Sequence, residues 1–92
     1  MPFFAVTYAY TPDLSARDAV RPAHREYLAS LPELVLSGPT DDDGAFLVFE
    51  AADAAAVEAL LDADPFAVDG RVIGGRKVVG WNPVLGRLSS SL

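Results

Sequence analysis

The stretch LVLSGPTDDDGAFLVFE, residues 34–50, decides the fold. Leu34-Val35-Leu36 is a short apolar run ended by Ser37-Gly38-Pro39. Thr40-Asp41-Asp42-Asp43-Gly44 is a compact polar loop, and Ala45 to Glu50, centred on Phe46, Leu47, Val48 and Phe49, is a second apolar run. Two strand-forming runs joined by turn-forming residues predict a β-hairpin.

Upstream, Phe3 to Tyr10 reads as a strand: aromatic and β-branched residues dominate it, and Thr11-Pro12-Asp13 stops it. With a period of two, Phe4, Val6, Tyr8 and Tyr10 share one face and Phe3, Ala5, Thr7 and Ala9 the other. A helix follows, and Pro22 governs where it starts. A start at Ser15, with Asp18 as its capping-box partner, would leave the proline inside the helix, where it removes a backbone bond and crowds the preceding turn. A first helical position is cheaper for proline. The reading is therefore a loop or short helical turn over Leu14 to Val20 and a main helix from Pro22 to about Ser30. The stripe Val20, His24, Tyr27, Leu28, Leu31 faces inward, and Arg25, Glu26 and Ala29 face out.

Downstream, Asp53 caps an alanine-rich helix over 54–63, with Val57, Leu60 and Leu61 as its apolar stripe. Pro65 disfavours the helical conformation at Asp64, so Asp64 is read as the N-cap of a new short turn, Pro65 to Asp69, closed by Gly70. The last strand spans Arg71 to Trp81, with Gly74-Gly75 marking a bulge or a close backbone approach. Residues 83–92 are a serine-rich tail. The order β-α-β-β-α-β is the split βαβ, ferredoxin-like arrangement of an α+β domain: one antiparallel sheet with its helices on one face. The strands are nevertheless apolar on both faces. At roughly 25 cal/mol per Å2 of apolar surface, the uncovered face is too apolar to leave in water. A homodimer packed through the open sheet face is the expected partner arrangement.

With 92 residues and 51% hydrophobic content the chain is a single domain, its core about residues 3–82. Seven Lys and Arg stand against 13 Asp and Glu, for a formal charge of −6, which would repel phosphate backbones and anionic lipid, so no nucleic-acid partner is expected. No window approaches the ~18 apolar residues of a membrane span, and no basic segment precedes the N-terminal apolar run, so neither a membrane nor a targeting signal is expected. There is no cysteine, which removes disulfides, thiolate metal sites and cysteine nucleophiles together. A cytoplasmic location is the expectation.

The residues Arg21-Pro22-Ala23-His24, then Leu28, then Ser37-Gly38-Pro39 after a short strand, Asp64-Pro65-Phe66 with Gly70, and Trp81 after the final strand resemble the YCII-related (YciI-like) domain family. The resemblance covers about residues 3–82; each motif alone is weak, and their order and spacing carry it. It implies a dimeric α+β barrel built from ferredoxin-like protomers. It also implies an active site made by a histidine and an aspartate, here His24 and Asp64. One relative in the family is a dehydrochlorinase of a chlorinated hydroxyquinol, while most members have no assigned reaction. The Asp-rich hairpin loop and the Ser-rich tail depart from the pattern.

An imidazole works as an acid or base near neutral pH when a partner fixes its tautomer. Near a helix N-terminus His24 would be discouraged from charging, while a carboxylate at Asp64 would favour the imidazolium and orient the ring by accepting one N–H. His24 is thus the expected general acid or base and Asp64 its orienting partner. Arg21 is expected to bind a substrate anion, Gly38 to admit a ligand close to backbone amides, and Ser37, Pro39 and Phe66 to complete the binding surface. Structural explanations stand beside these: a hydrogen-bonded core histidine, an N-cap at Asp64 worth about 1 kcal/mol, and a strand end at Gly38-Pro39. Nothing resembles a nucleophile elbow around Ser37. One histidine among scattered aspartates gives no metal-ligand spacing, and Gly70 to Gly75 holds no phosphate-loop pattern, so no metal and no cofactor are expected. The sequence supports a small lyase or dehydrochlorinase-like catalyst acting on a small polar or aromatic molecule. A non-catalytic small-molecule ligand-binding or sensory dimer and a pure dimerisation module remain open.

Overall fold

Strand β1 (Phe3–Tyr10) lies inside a four-stranded sheet between β3 (Gly44–Glu50) and β4 (Ile73–Trp81), with β2 (Leu34–Thr40) at the far edge beyond β3. Every pairing is antiparallel. The structure, a computed structural model, describes residues 1–92. Helix α1 (Leu14–Ala29) joins β1 to β2, and α2 (Ala54–Asp62) and the short α3 (Pro65–Asp69) join β3 to β4. This is the β-α-β-β-α-β, ferredoxin-like α+β fold expected from the order of elements in the sequence.

The register explains the core. Phe4, Val6 and Tyr8 pair with Phe49, Leu47 and Ala45, and all six side chains are buried on one face, packed with Leu28 of α1 and Val57 and Leu61 of α2. A smaller cluster of Ala16, Phe66 and Val72 lies where α1 meets α3. The hairpin turn needs two special backbone positions. Asp43 has φ 58°, a left-handed conformation that a short polar side chain tolerates. Gly44 lies so close to the Tyr8 carbonyl oxygen that a Cβ there would collide with backbone.

The three short-range capping signals are in place. The Asp53 carboxylate accepts from Ala56 N–H at 2.8 Å, the Asp64 carboxylate accepts from Phe66 N–H at 3.0 Å, and Gly70 closes α3 at φ 82°. Ala9 pairs with Gly75 and Tyr10 with Ile73, so Gly74 is the extra residue of a bulge.

Three boundaries differ from the sequence reading. Helix α1 starts at Leu14 rather than at Pro22, capped by Asp13, whose carboxylate accepts from Ala16 N–H at 3.0 Å. Pro22 is therefore inside the helix. Its ring and Asp18, the residue whose carbonyl loses a partner, are both exposed to water, while the added turns bury Ala16 and Arg17. The local penalty of one proline is thus offset by a cap and by packing. Pro22→Ala restores a backbone donor and is expected to stabilise the protein by about 1–3 kcal/mol. An unchanged or lowered urea midpoint would contradict this. Second, Ser37-Gly38-Pro39 does not end β2 but continues it, paired with Leu47, Phe46 and Ala45. An edge strand tolerates a proline because one side of its ladder needs no donor. Third, β4 begins at Ile73, since Val72 is buried in the smaller cluster and Arg71 is engaged by Asp69.

The other sheet face keeps Leu36, Phe46, Val79 and Trp81 exposed. The tail after β4 crosses toward the β2 side, where Pro83, Leu85, Leu88 and Leu92 share an apolar groove of about 660 Å3 with Leu36, Phe46 and Trp81. No helix is long and apolar enough to cross a membrane.

Candidate active site

His24 and Asp64 are forty positions apart in sequence and in contact in space. His24 Nδ1 lies 2.7 Å from Asp64 Oδ1. Two elements set this up: α1 carries the imidazole on its buried face, and the α2–α3 junction carries the carboxyl group. Asp64 has no solvent exposure and is met by three donors. Phe66 N–H and the imidazole share Oδ1, and the Tyr8 hydroxyl donates to Oδ2 at 2.9 Å. A carboxylate so surrounded has only acceptors to offer, which places the ring proton on Nδ1. Nε2 then carries the free lone pair and bonds to no protein group. The ring is fixed in its other dimension by Phe66, stacked against it at 3.8 Å between centroids and 6° between planes. Tyr10 meets Phe66 edge-on.

His24 forms part of the wall of a cavity of about 300 Å3 between α1 and the β2–β3 hairpin. Arg21, Ser37, Gly38, Pro39 and Phe66 line the same cavity, so six of the seven residues singled out from sequence face one space and Asp64 lies behind it. One part of the sequence reading needs correction. His24 is not in the first turn of its helix but far along α1, because α1 starts at Leu14. The helix N-terminus is too distant to act on it, and Asp64 is its polar partner.

Sequence reasoning missed Tyr8, Arg17 and Arg25. Tyr8 looked like one more apolar strand residue; only the fold shows its hydroxyl reaching Asp64. Arg17 is buried, gives an Nη2–H to the Thr11 carbonyl at 2.8 Å, and stacks over the Tyr10 ring at 4.5 Å. The recurrence of arginine at every fourth position, 17, 21 and 25, is the signal that a helix starting at Leu14 would have exposed.

Burial, then the charge and hydrogen bond of Asp64, hold the Tyr8 hydroxyl far above the usual tyrosine range. Burial likewise raises Tyr10, partly opposed by the Arg17 cation. Because folding favours the protonated Tyr8 phenol, its contribution is complete below the unfolded value of ~10 and declines as pH rises beyond it. Wild-type stability is expected to fall as pH rises above about 10, with a shallower fall in Tyr8→Phe. Parallel slopes in urea titrations would contradict the assignment.

The sequence pattern of the YCII-related domain matches residues 1–82. The chain belongs to the YCII-related domain family. Among solved structures, this YCII-related chain is similar to 5-chloro-2-hydroxyhydroquinone dehydrochlorinase from Burkholderia phenoliruptrix in complex with 2,5-dihydroxybenzoquinone. The two are 27% identical, with a TM-score of 0.78 over 86% of this chain and 92% of that one. It also shares its fold with a protein of Agrobacterium tumefaciens, 17% identical with a TM-score of 0.56 over 97% of each chain. A Pseudomonas aeruginosa protein is 14% identical, with a TM-score of 0.53 over 87% of this chain and 91% of that one. Against curated proteins the chain has no significant sequence match.

Proposed function

We propose that the protein is a small cofactor-independent acid/base catalyst, a lyase of the dehydrochlorinase kind, acting on a small hydroxylated ring. The observation that carries this reading is the 2.7 Å contact of His24 Nδ1 with a fully buried Asp64 at the wall of a cavity. Its likeness to a dehydrochlorinase adds the reaction class. His24 Nε2 takes a proton from a ring hydroxyl and delivers it to the carbon bearing the leaving group, giving the ketone tautomer. Loss of a second hydroxyl proton to the imidazole then drives departure of the halide with the electrons of its carbon bond. The products are a quinone and HX, and the electrons balance without a redox partner. Asp64 keeps the ring in one tautomer and stabilises the imidazolium between transfers, and the Tyr8 hydroxyl and Phe66 N–H keep Asp64 in place. Arg21, Ser37, Gly38, Pro39 and Phe66 form the substrate-binding wall.

Chloride release from 5-chloro-2-hydroxyhydroquinone and simpler chlorohydroquinones tests the reading. Release by wild type and its loss in His24→Gln support it. Binding of these compounds with no release in either protein sinks the catalytic reading and leaves a ligand-binding module.

We further propose that a second copy of the chain covers the open sheet face. Leu36, Phe46, Val79 and Trp81 on that face, with Leu85 and Leu88 of the tail, make an exposed apolar patch of a kind that marks an interaction surface. Light scattering at micromolar concentration is expected to report a dimer, and Phe46→Lys a shift toward monomer; a wild-type monomer would contradict the arrangement.

A further inference from the structure

We propose that the His24 cavity selects a substrate bearing a planar oxyanion, a carboxylate or its vinylogous equivalent in an ionised hydroxyquinone, and that Arg17 and Arg25 are the residues that select it. The proposal rests on the reading of this cavity as the substrate site and adds the charge class of the substrate.

The chain carries a formal charge of −6 and has only seven Lys and Arg. Three of these, Arg17, Arg21 and Arg25, line this single cavity. A spacing of four on α1 places them one above the next on the same side of the helix. Like charges at that spacing repel, so the arrangement is unfavourable without an anion. The only carboxylate in the cavity wall is Asp43, 82% exposed and 3.6 Å from Arg17 Nη1.

The three guanidinium groups differ in what they have left to offer. Arg21 is engaged by Asp18 at 2.6 Å. Arg17 is only 7% exposed, yet its Nε is buried with no acceptor. A buried donor without a partner is unfavourable, and a guanidinium is always charged. Arg25 forms no ion pair or hydrogen bond with the protein. Two cations short of acceptors thus border the cavity that holds the imidazole. A guanidinium presents its donors as a flat fork, which fits two oxygens sharing one charge in a plane. A cavity of about 300 Å3 is at the small end of ligand sites, of a size for one ring and its substituents.

The expected discrimination is large because charge-assisted hydrogen bonds in a sheltered site are the strong ones. Isothermal titration with 2,5-dihydroxybenzoate and 2,5-dihydroxybenzamide isolates the charge, since the two share a ring and differ in the anion. The acid is expected to bind at least ~10-fold more tightly than the amide. Arg25→Gln and Arg17→Met should each bring that ratio toward one. Arg17 also holds the Thr11 carbonyl, so if Arg17→Met fails to fold, the exposed Arg25→Gln decides. His24→Gln is expected to keep the ratio whatever it does to turnover, so failure of the selectivity and failure of the catalytic reading are separable. Arginine-dependent binding of ionised 2,5-dihydroxybenzoquinone in place of the acid would assign the charge to ring oxygens and supports the proposal equally. Equal affinity for acid and amide with no arginine-dependent binding of the quinone, or an acid-to-amide ratio untouched by the arginine variants, would overturn it.

Discussion

Replacing Asp64 by alanine is expected to lower the unfolding free energy by about 3–5 kcal/mol. The side chain is a fully buried acceptor for three donors on three elements: the Tyr8 hydroxyl of β1, the imidazole of α1 and the Phe66 N–H of α3. Alanine leaves all three unpaired in a space that water does not reach. If Asp64 were only the cap of a five-residue helix, the loss would be about 1 kcal/mol, so urea unfolding separates the two roles. Asp64→Asn retains one acceptor oxygen but introduces two donors facing donors, and its expected loss lies between these limits. A loss of only about 1 kcal/mol for Asp64→Ala would mean that the contacts to His24 and Tyr8 contribute little.

His24→Gln carries the largest expected effect on activity, a fall of about 10²- to 10⁴-fold in kcat, the usual contribution of a positioned general acid or base. Glutamine can still reach toward Asp64 through its amide, so circular dichroism and the urea midpoint should change little beside the loss of turnover. The fall should appear in kcat rather than KM if, as proposed, ligand binding rests on the arginines and the hairpin backbone. A variant that retains chloride release within a few-fold would remove His24 from the chemistry.

Much of the fold was legible because its decisive signals are local. Residues 34–50 carry their own turn chemistry, Asp53 and Asp64 sit one residue before their helices, and Gly70 supplies the left-handed residue that closes α3. The start of α1 was not legible, since its cost is local and its compensation is not. Pro22 argues against a helix through it, whereas burial of Ala16 becomes visible only once Phe66 of α3 and Val72 are packed against it, and that of Arg17 only once it meets Tyr10, Thr11 and Asp43. That one boundary also hid part of the candidate site. With α1 starting at Pro22, Arg17 belongs to a loop and the series at every fourth position is broken. With α1 starting at Leu14, Arg17, Arg21 and Arg25 form a column beside His24. The His24 and Asp64 pairing came from a family resemblance, and nothing in the spacing of forty residues could have produced the 2.7 Å contact. The role of Tyr8 was hidden for a related reason: in a strand whose two faces are both apolar, a phenol reads as bulk, and its hydroxyl acquires a partner only when the α2–α3 junction is folded over it.

His24 is the only histidine in the chain, which makes its tautomer directly readable by long-range 1H–15N NMR without substrate. In the neutral ring the account predicts a proton on Nδ1, a bare Nε2, and loss of that fixed tautomer in Asp64→Asn. A wild-type ring protonated on Nε2, or a spectrum that Asp64→Asn leaves unchanged, would contradict the claim that Asp64 holds His24 ready for proton transfer.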